Sequence, residues 1–126
     1  MKIVNEELCT EDVLEKYRYY EKVVEALRNK RFVCLHSTSN TEICIFRGQQ
    51  RDYVVIPCRW CTCNDFIINV LSRGIKQVCY HIAGFVIAMQ EGKIIDIDVN
   101  LQELTRILYE IAFYGISITL RRMTKF

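Results

Sequence analysis

The sequence predicts one α+β domain: an N-terminal helix, a three-stranded antiparallel meander, a metal-binding segment and a C-terminal helix. Three observations predict it. Apolar residues recur at helical spacing over residues 11–28 and again after residue 100. Three short segments rich in β-branched and aromatic residues lie between Phe32 and Ile56, separated by polar stretches. Two short Cys/His pairs then flank a brief helical pattern.

Taken in order, Thr10 reads as a helix N-cap, with Glu11 and Asp12 in the first turn, where the helix dipole favours acids. Val13, Tyr17, Tyr20, Val24 and Leu27 mark one apolar face of a single helix from about 11 to 28. The meander strands are Phe32 to His36, Ile43 to Phe46 and Tyr53 to Ile56. Cys34 and Cys44 fall inside strands and read as small buried hydrophobes. His36, alone in its strand, reads as a satisfied polar group rather than a ligand.

Pro57 ends the third strand, and Asn64 is placed to cap a short helix carrying Phe66, Ile67, Val70 and Leu71 up to Gly74. A further helix opens at residues 78–81, with Ile82, Phe85, Val86 and Met89 as its buried face and Gly92 as its stop. Asn100 with Glu103 makes a capping-box pattern. Leu101, Leu104, Leu108 and Ile111 stripe the helix that follows, up to Gly115. Residues 116–120 alternate strictly, as an edge strand would.

At 126 residues with 51% hydrophobic and 25% charged residues, the chain can bury a core and is one domain. No apolar run reaches the roughly 18 residues that cross a bilayer, and residues 1–12 lack a signal peptide's apolar stretch, so a soluble intracellular protein is expected. A net charge of +2 is too small to argue for a polyanion partner by itself. Its distribution is uneven: residues 28–59 carry six basic and two acidic groups, between two acidic helical ends. That basic middle fits phosphate contact, or arginines solvated on a sheet face.

Seven cysteines cannot all pair. An intracellular setting points to metal binding ahead of a disulfide framework, although disulfides stay open. The informative residues are Cys61-x-Cys63 and, fifteen residues on, Cys79-x-His81. Zinc takes four thiolate or imidazole donors in a tetrahedron. Ligands one residue apart reach one ion only where the chain turns or passes from extended to helical, and both pairs sit at such places. Four protein ligands close the site, which makes the metal structural, where a catalytic ion would keep a position open. Cys58-x-x-Cys61 is also good zinc spacing, so Cys58 stands as an alternative ligand or a nearby thiol.

The stretch CTCNDF…VCYHIAGFVIAM, residues 61–66 and 78–89, resembles the SWIM zinc-finger family. The resemblance implies a ββα-type SWIM zinc finger within residues 53–92 of a single domain 1–126, with ligands Cys61, Cys63, Cys79 and His81 rather than Cys58. The N-terminal helix, the meander, the extra cysteine of CRWCTC and the helix over LQELTRIL are similar to the Shu-complex branch of that family. The chain departs from the common pattern at Asn64, at Tyr80 and at Gly84, where the branch usually has alanine; glycine still allows close packing.

That resemblance implies no enzyme activity. It implies pairing with a RecA-family recombinase paralogue and assistance to recombinase filament assembly on single-stranded DNA, in the nucleus or in an archaeal cytoplasm. No GxxxxGK[ST] run is present, so ATP would belong to the partner. The stripe Leu101, Leu104, Leu108 and Ile111 packs on the core or forms a groove for a partner or a second copy. The alternative function is a stand-alone DNA-binding zinc-finger module, a regulator or mobile-element protein. Its candidate phosphate contacts are Arg47, Arg51, Arg59, Arg73 and Lys76. Trp60 and Tyr80 are placed to stack on bases, unless Trp60 instead packs over the metal loop.

Overall fold

A computed structural model describes residues 9–38 and 40–125. It is a mixed α+β fold in which helices cover both faces of a five-stranded sheet. Among the described residues, no helix is long and apolar enough to cross a membrane.

Thr10 caps α1 (Glu11–Arg18): its Oγ1 accepts from the Val13 N–H at 3.3 Å. The single helix expected over 11–28 is two. The chain breaks at Tyr19–Tyr20, where Tyr20 is extended (φ −64, ψ 131), and restarts as α2 (Glu21–Arg28). The break resets the helical phase. Val23 and Ala26 are buried on α2, whereas Tyr20 and Val24, expected on the apolar face, are exposed. Two eight-residue helices can each turn their own apolar residues onto α4 (Tyr80–Gln90), which one straight rod could not do.

Strands β1 (Phe32–Ser37), β2 (Glu42–Arg47) and β3 (Asp52–Ile56) pair antiparallel in sequence. A tight turn at Pro57–Arg59, with Cys58 at φ +64, returns the chain as the two-residue strand β4 (Trp60–Cys61) against β3. The fifth strand was not anticipated. β5 (Ile95–Val99) lies parallel to β1, giving the order β4-β3-β2-β1-β5.

Strand alternation sorts the core into two layers. Phe32, Cys34, Cys44, Phe46 and Val55 face α1, α2 and α4, and Val33, Leu35 and Ile45 face the C-terminal helices. Cys34 and Cys44, register partners with Cα atoms 4.0 Å apart, form a disulfide and are more than small hydrophobes. Cys9 and Cys58 form a second, across 49 residues of sequence. The expectation against disulfides is thereby corrected. It rested on the assumed compartment and took no account of register and loop placement, which bring these sulfurs within bonding reach.

Residues Phe66–Ser72 form α3, a short π-wound helix. Its cap is not Asn64. The Cys63 Sγ accepts from the Phe66 N–H at 3.3 Å, and the Cys63 carbonyl accepts from the Ile67 N–H. Only Phe66 of this helix is fully buried; Ile67 and Leu71 are exposed. α4 (Tyr80–Gln90) runs through the core, with Ile82 and Phe85 buried as expected. Met89, expected to be buried, is 56% exposed, although Ile87 and Ala88 in the same turn are buried. Gly84 brings the α4 backbone against Phe32: a Cβ there would stand 2.6 Å from the Phe32 Cζ.

α5 (Leu101–Tyr114) opens on the capping box, Asn100 Oδ1 accepting from the Glu103 N–H at 2.7 Å and Glu103 Oε1 from the Asn100 N–H at 3.0 Å. Gly115 closes it in the left-handed region, φ +80. The tail expected as an edge strand is instead α6 (Ile118–Met123). Ser117 caps it by accepting from the Leu120 N–H at 3.0 Å, so residues that alternate on paper are wound into a turn. Buried Asp52 clamps this end, accepting from Arg121 at 2.6 Å and from the Ser117 N–H at 2.9 Å.

Of the two readings of the stripe, core packing holds for three of its four residues. Leu104 is buried in the second layer, and Leu108 and Ile111 pack against that layer. Leu101 is exposed and lies apart from them. The large apolar residues that α5 leaves exposed are Leu101, Tyr109, Phe113 and Tyr114.

Candidate metal centre

The β3–β4 hairpin delivers Cys61 to the interior, in register with Val55. Two residues on, Cys63 ends the extended segment and starts α3 with its own sulfur as cap. Cys79 is the N-cap of α4, extended at φ −92, ψ 166, and His81 lies in the first turn. Both pairs therefore span an extended-to-helical transition, which lets alternate residues converge on one point.

They do converge. One ligand atom from each of Cys61, Cys63, Cys79 and His81 lies within 4.8 Å of the other three. All four residues are buried. The Cys61 Sγ and His81 Nδ1 are 3.7 Å apart, which nominates Nδ1 as the donor atom. The His81 ring is held on several sides, with ring centroids of Phe46, Tyr53 and Tyr80 at 4.3, 4.9 and 4.2 Å.

The sulfurs share protons among themselves. Hydrogen bonds from Cys61 and then Cys79, joined by His81 and the Phe66 N–H, hold the Cys63 thiol far below the ordinary thiol range. Cys61 is pushed far up by its hydrogen bonds to Cys63 and Cys79 and by burial. For Cys79 the hydrogen bond with Cys61 lowers the value, but donation to Cys63 and burial outweigh it, and the thiol rises to about 12. Cys63, the sulfur whose ionisation is most favoured, sits at the N-terminus of a helix beside the other two. A divalent cation at the centre would replace those protons.

Cys58 lies outside this cluster, bonded to Cys9. Cys61, Cys63 and Cys79 are not in disulfides. Trp60 is 40% exposed and packs edge-on to Phe66, 5.4 Å between centroids, so it both lies over the metal loop and reaches solvent.

The proposed phosphate contacts do not gather. Arg51 lines a cleft of about 1260 Å³ that also reaches Cys63 and His81. Arg59 is exposed beside the β3–β4 turn, and Arg73 is exposed beyond α3. Lys76 is held by Asp65 at 2.6 Å. Arg47 is half-buried on β2, its Nε without a hydrogen-bond partner, and burial and then Arg121 lower its pKa. Sequence reasoning missed the cations that do share the cleft with Arg51, namely Lys22, Arg28 and Arg31. They lie on or just after α2, and only the packing of α2 beside the metal loop brings them there. Glu21, Glu25 and Asp65 line the same cleft, and Arg31 pairs with Glu25 at 3.2 Å.

Two further donor groups emerge from the sheet: Cys34, Glu42 and Cys44, and His36, Glu42 and Asp96. Reading His36 alone in its strand missed its neighbours, because Asp96 belongs to the unanticipated β5. Its Nε2 lies 2.7 Å from the Asp96 carboxylate.

No family model, no curated protein and no solved structure matches this chain.

Proposed function

We propose that Cys61, Cys63, Cys79 and His81 hold a structural zinc ion, and that the domain is a SWIM-type accessory subunit of homologous recombination. In this reading it is not an enzyme. It pairs with a RecA-family recombinase paralogue and promotes assembly of the recombinase filament on single-stranded DNA.

The observation that supports it most is the closed, buried four-donor cluster at the junction of the β3–β4 hairpin and α4. The donor set fits the ion. Zinc–sulfur bonds of ~2.3 Å give a tetrahedron with edges of ~3.8 Å, and donors already within 4.8 Å need to contract by only about 1 Å. Three sulfurs and one imidazole are the donors that zinc prefers, and four protein donors leave no position for substrate. Zinc bound there cross-links a sheet edge, α3 and α4. The ligand spacing, the strand–turn–strand entry and the helical exit agree with the SWIM pattern described above.

Two measurements test the reading. Elemental analysis should find one zinc per chain that depends on these four residues. Co-purification from cells expressing RecA-family paralogues, followed by a filament-assembly assay on single-stranded DNA, should show a stable pair and faster assembly. A chain that binds no RecA-family protein would sink the recombination role.

One observation favours a second reading, a stand-alone nucleic-acid-binding module. Lys22, Arg28, Arg31 and Arg51 share the cleft beside the metal with Tyr19, Tyr53 and Tyr80. Cations among aromatic faces suit a single strand. A gel-shift series across salt decides it: affinity of the isolated protein for single-stranded DNA that falls steeply with salt supports this module.

A further inference from the structure

We propose that the β1–β2–β5 face carries a second metal site, for a thiophilic divalent cation of the zinc class, that forms only when the Cys34–Cys44 disulfide is reduced. Its donors are the two cysteines and Glu42, with His36 as the fourth.

The strand register places these residues together. Cys34 faces Cys44 and His36 faces Glu42 across the β1–β2 pair, and Asp96 of β5 aligns with Cys34. Alternation puts all of them on one face of the sheet. A carboxylate oxygen of Glu42 lies within 4.8 Å of both sulfurs, and Glu42, His36 and Asp96 form an equally close group. Glu42 belongs to both groups and joins the sulfur pair to the histidine.

The histidine is already oriented. Its Nε2 meets Asp96 at 2.7 Å, while Nδ1 faces the Glu42 carboxylate at 3.8 Å. A carboxylate that holds one ring nitrogen and leaves the other for the metal is how metal-binding histidines are positioned; here Nδ1 faces Glu42, and the ring must move toward the sulfurs to become the fourth donor. Asp96 therefore acts as the positioning residue. Cys34 and Cys44 are also reachable, since both line a cleft of about 540 Å³ bounded by Pro57, Met89 and Ile94.

The disulfide decides whether the donors exist, because a thiolate binds such a cation and a disulfide sulfur does not. A dithiol reductant transfers two electrons and two protons; the Cys34–Cys44 bond breaks to two thiols and the reductant becomes a disulfide. Binding then forms two sulfur–metal bonds and releases both thiol protons to solvent. Oxidation by a disulfide of the same class reverses the sequence and expels the ion. This site shares no residue with the Cys61–His81 cluster and does not depend on that cluster's proposed role.

The test compares zinc per chain, by elemental analysis after desalting, with the disulfides intact and after reduction with a phosphine under nitrogen. The reduced protein should hold one more equivalent than the oxidised protein. In the reduced wild-type chain, added zinc should also protect Cys34 and Cys44 from alkylation, a readout that needs no variant. The increment should vanish in C34S/C44S and persist in C9S/C58S, which removes the other disulfide. Glu42→Gln should weaken the extra site ~10-fold or more. An unchanged zinc count on reduction, an increment that survives C34S/C44S, or no protection of the two thiols would each overturn the proposal. Cys61→Ser separates the two sites: it lowers both counts equally and leaves their difference intact.

Discussion

Gly84 is where local helix preference and tertiary packing give opposite signs for one substitution. In a solvent-facing helix Gly→Ala gains ~1 kcal/mol. Here the added Cβ would stand 2.6 Å from the Phe32 Cζ and 3.0 Å from its Cε1, whereas ordinary contact begins at 3.4 Å. The ring or the helix must give way by about 0.8 Å. Phe32 has no exposure and is wedged against Phe46 and Phe85, with centroids at 5.3 and 4.9 Å. Overpacking of this kind costs ~1–3 kcal/mol. The clash outweighs the propensity gain, and Gly84→Ala should lose ~1 kcal/mol net, lowering Tm by roughly 3–6 °C for a domain of this size. Urea titration of metal-loaded protein checks it, with the midpoint falling at unchanged slope. Phe32→Leu in the Gly84→Ala background should recover part of the loss, with a coupling of ~1 kcal/mol between the two sites. A Gly84→Ala chain as stable as the parent, or more stable, would refute the reasoning.

Three further outcomes are expected. Asp52→Ala leaves Arg121 and the Ser117 N–H without their buried acceptor and should cost ~3 kcal/mol, read as a lowered denaturation midpoint with α6 losing its protection from hydrogen exchange first. Burial alone would raise the Glu110 carboxyl, but hydrogen bonds from the Ser117 hydroxyl and from the Thr119 N–H and hydroxyl outweigh it and hold the pKa below the usual glutamate value. Its contribution is therefore complete above the unfolded pKa and is lost as pH falls through the folded one; a pH series should show that acid-side loss in the parent and a smaller one in Glu110→Gln. Cys58→Ser should leave the zinc content unchanged, because Cys58 is bonded to Cys9 and stands outside the four-donor cluster; loss of zinc in elemental analysis would restore Cys58 as a ligand.

The parts of the fold that were legible in the sequence rest on short-range chemistry. Thr10, Asn100 with Glu103, and Gly115 each mark a helix end through bonds to backbone a few residues away, and each does so here. The two ligand pairs were readable because alternate Cys/His residues at chain transitions have few other uses. What escaped was set by distant partners. The Tyr19–Tyr20 break follows from docking on α4, so the local stripe looked continuous. β5 is five residues whose alternation acquires meaning only beside β1. Residues 116–120 alternate like a strand, but Ser117 as a cap and Glu110 and Asp52 as anchors wind them into α6. Pairing of Cys34 with Cys44 depends on cross-strand register, which spacing does not encode.

The sheet ends in two dissimilar borders. On one side β4 contributes only two residues, too short a rail for a foreign strand to follow. On the other, β5 offers a full-length rim, yet Asp96 and Asp98 stand exposed along it and place anionic groups where a second copy would have to dock. Among the described residues, both rims are therefore poor templates for edge-to-edge strand pairing.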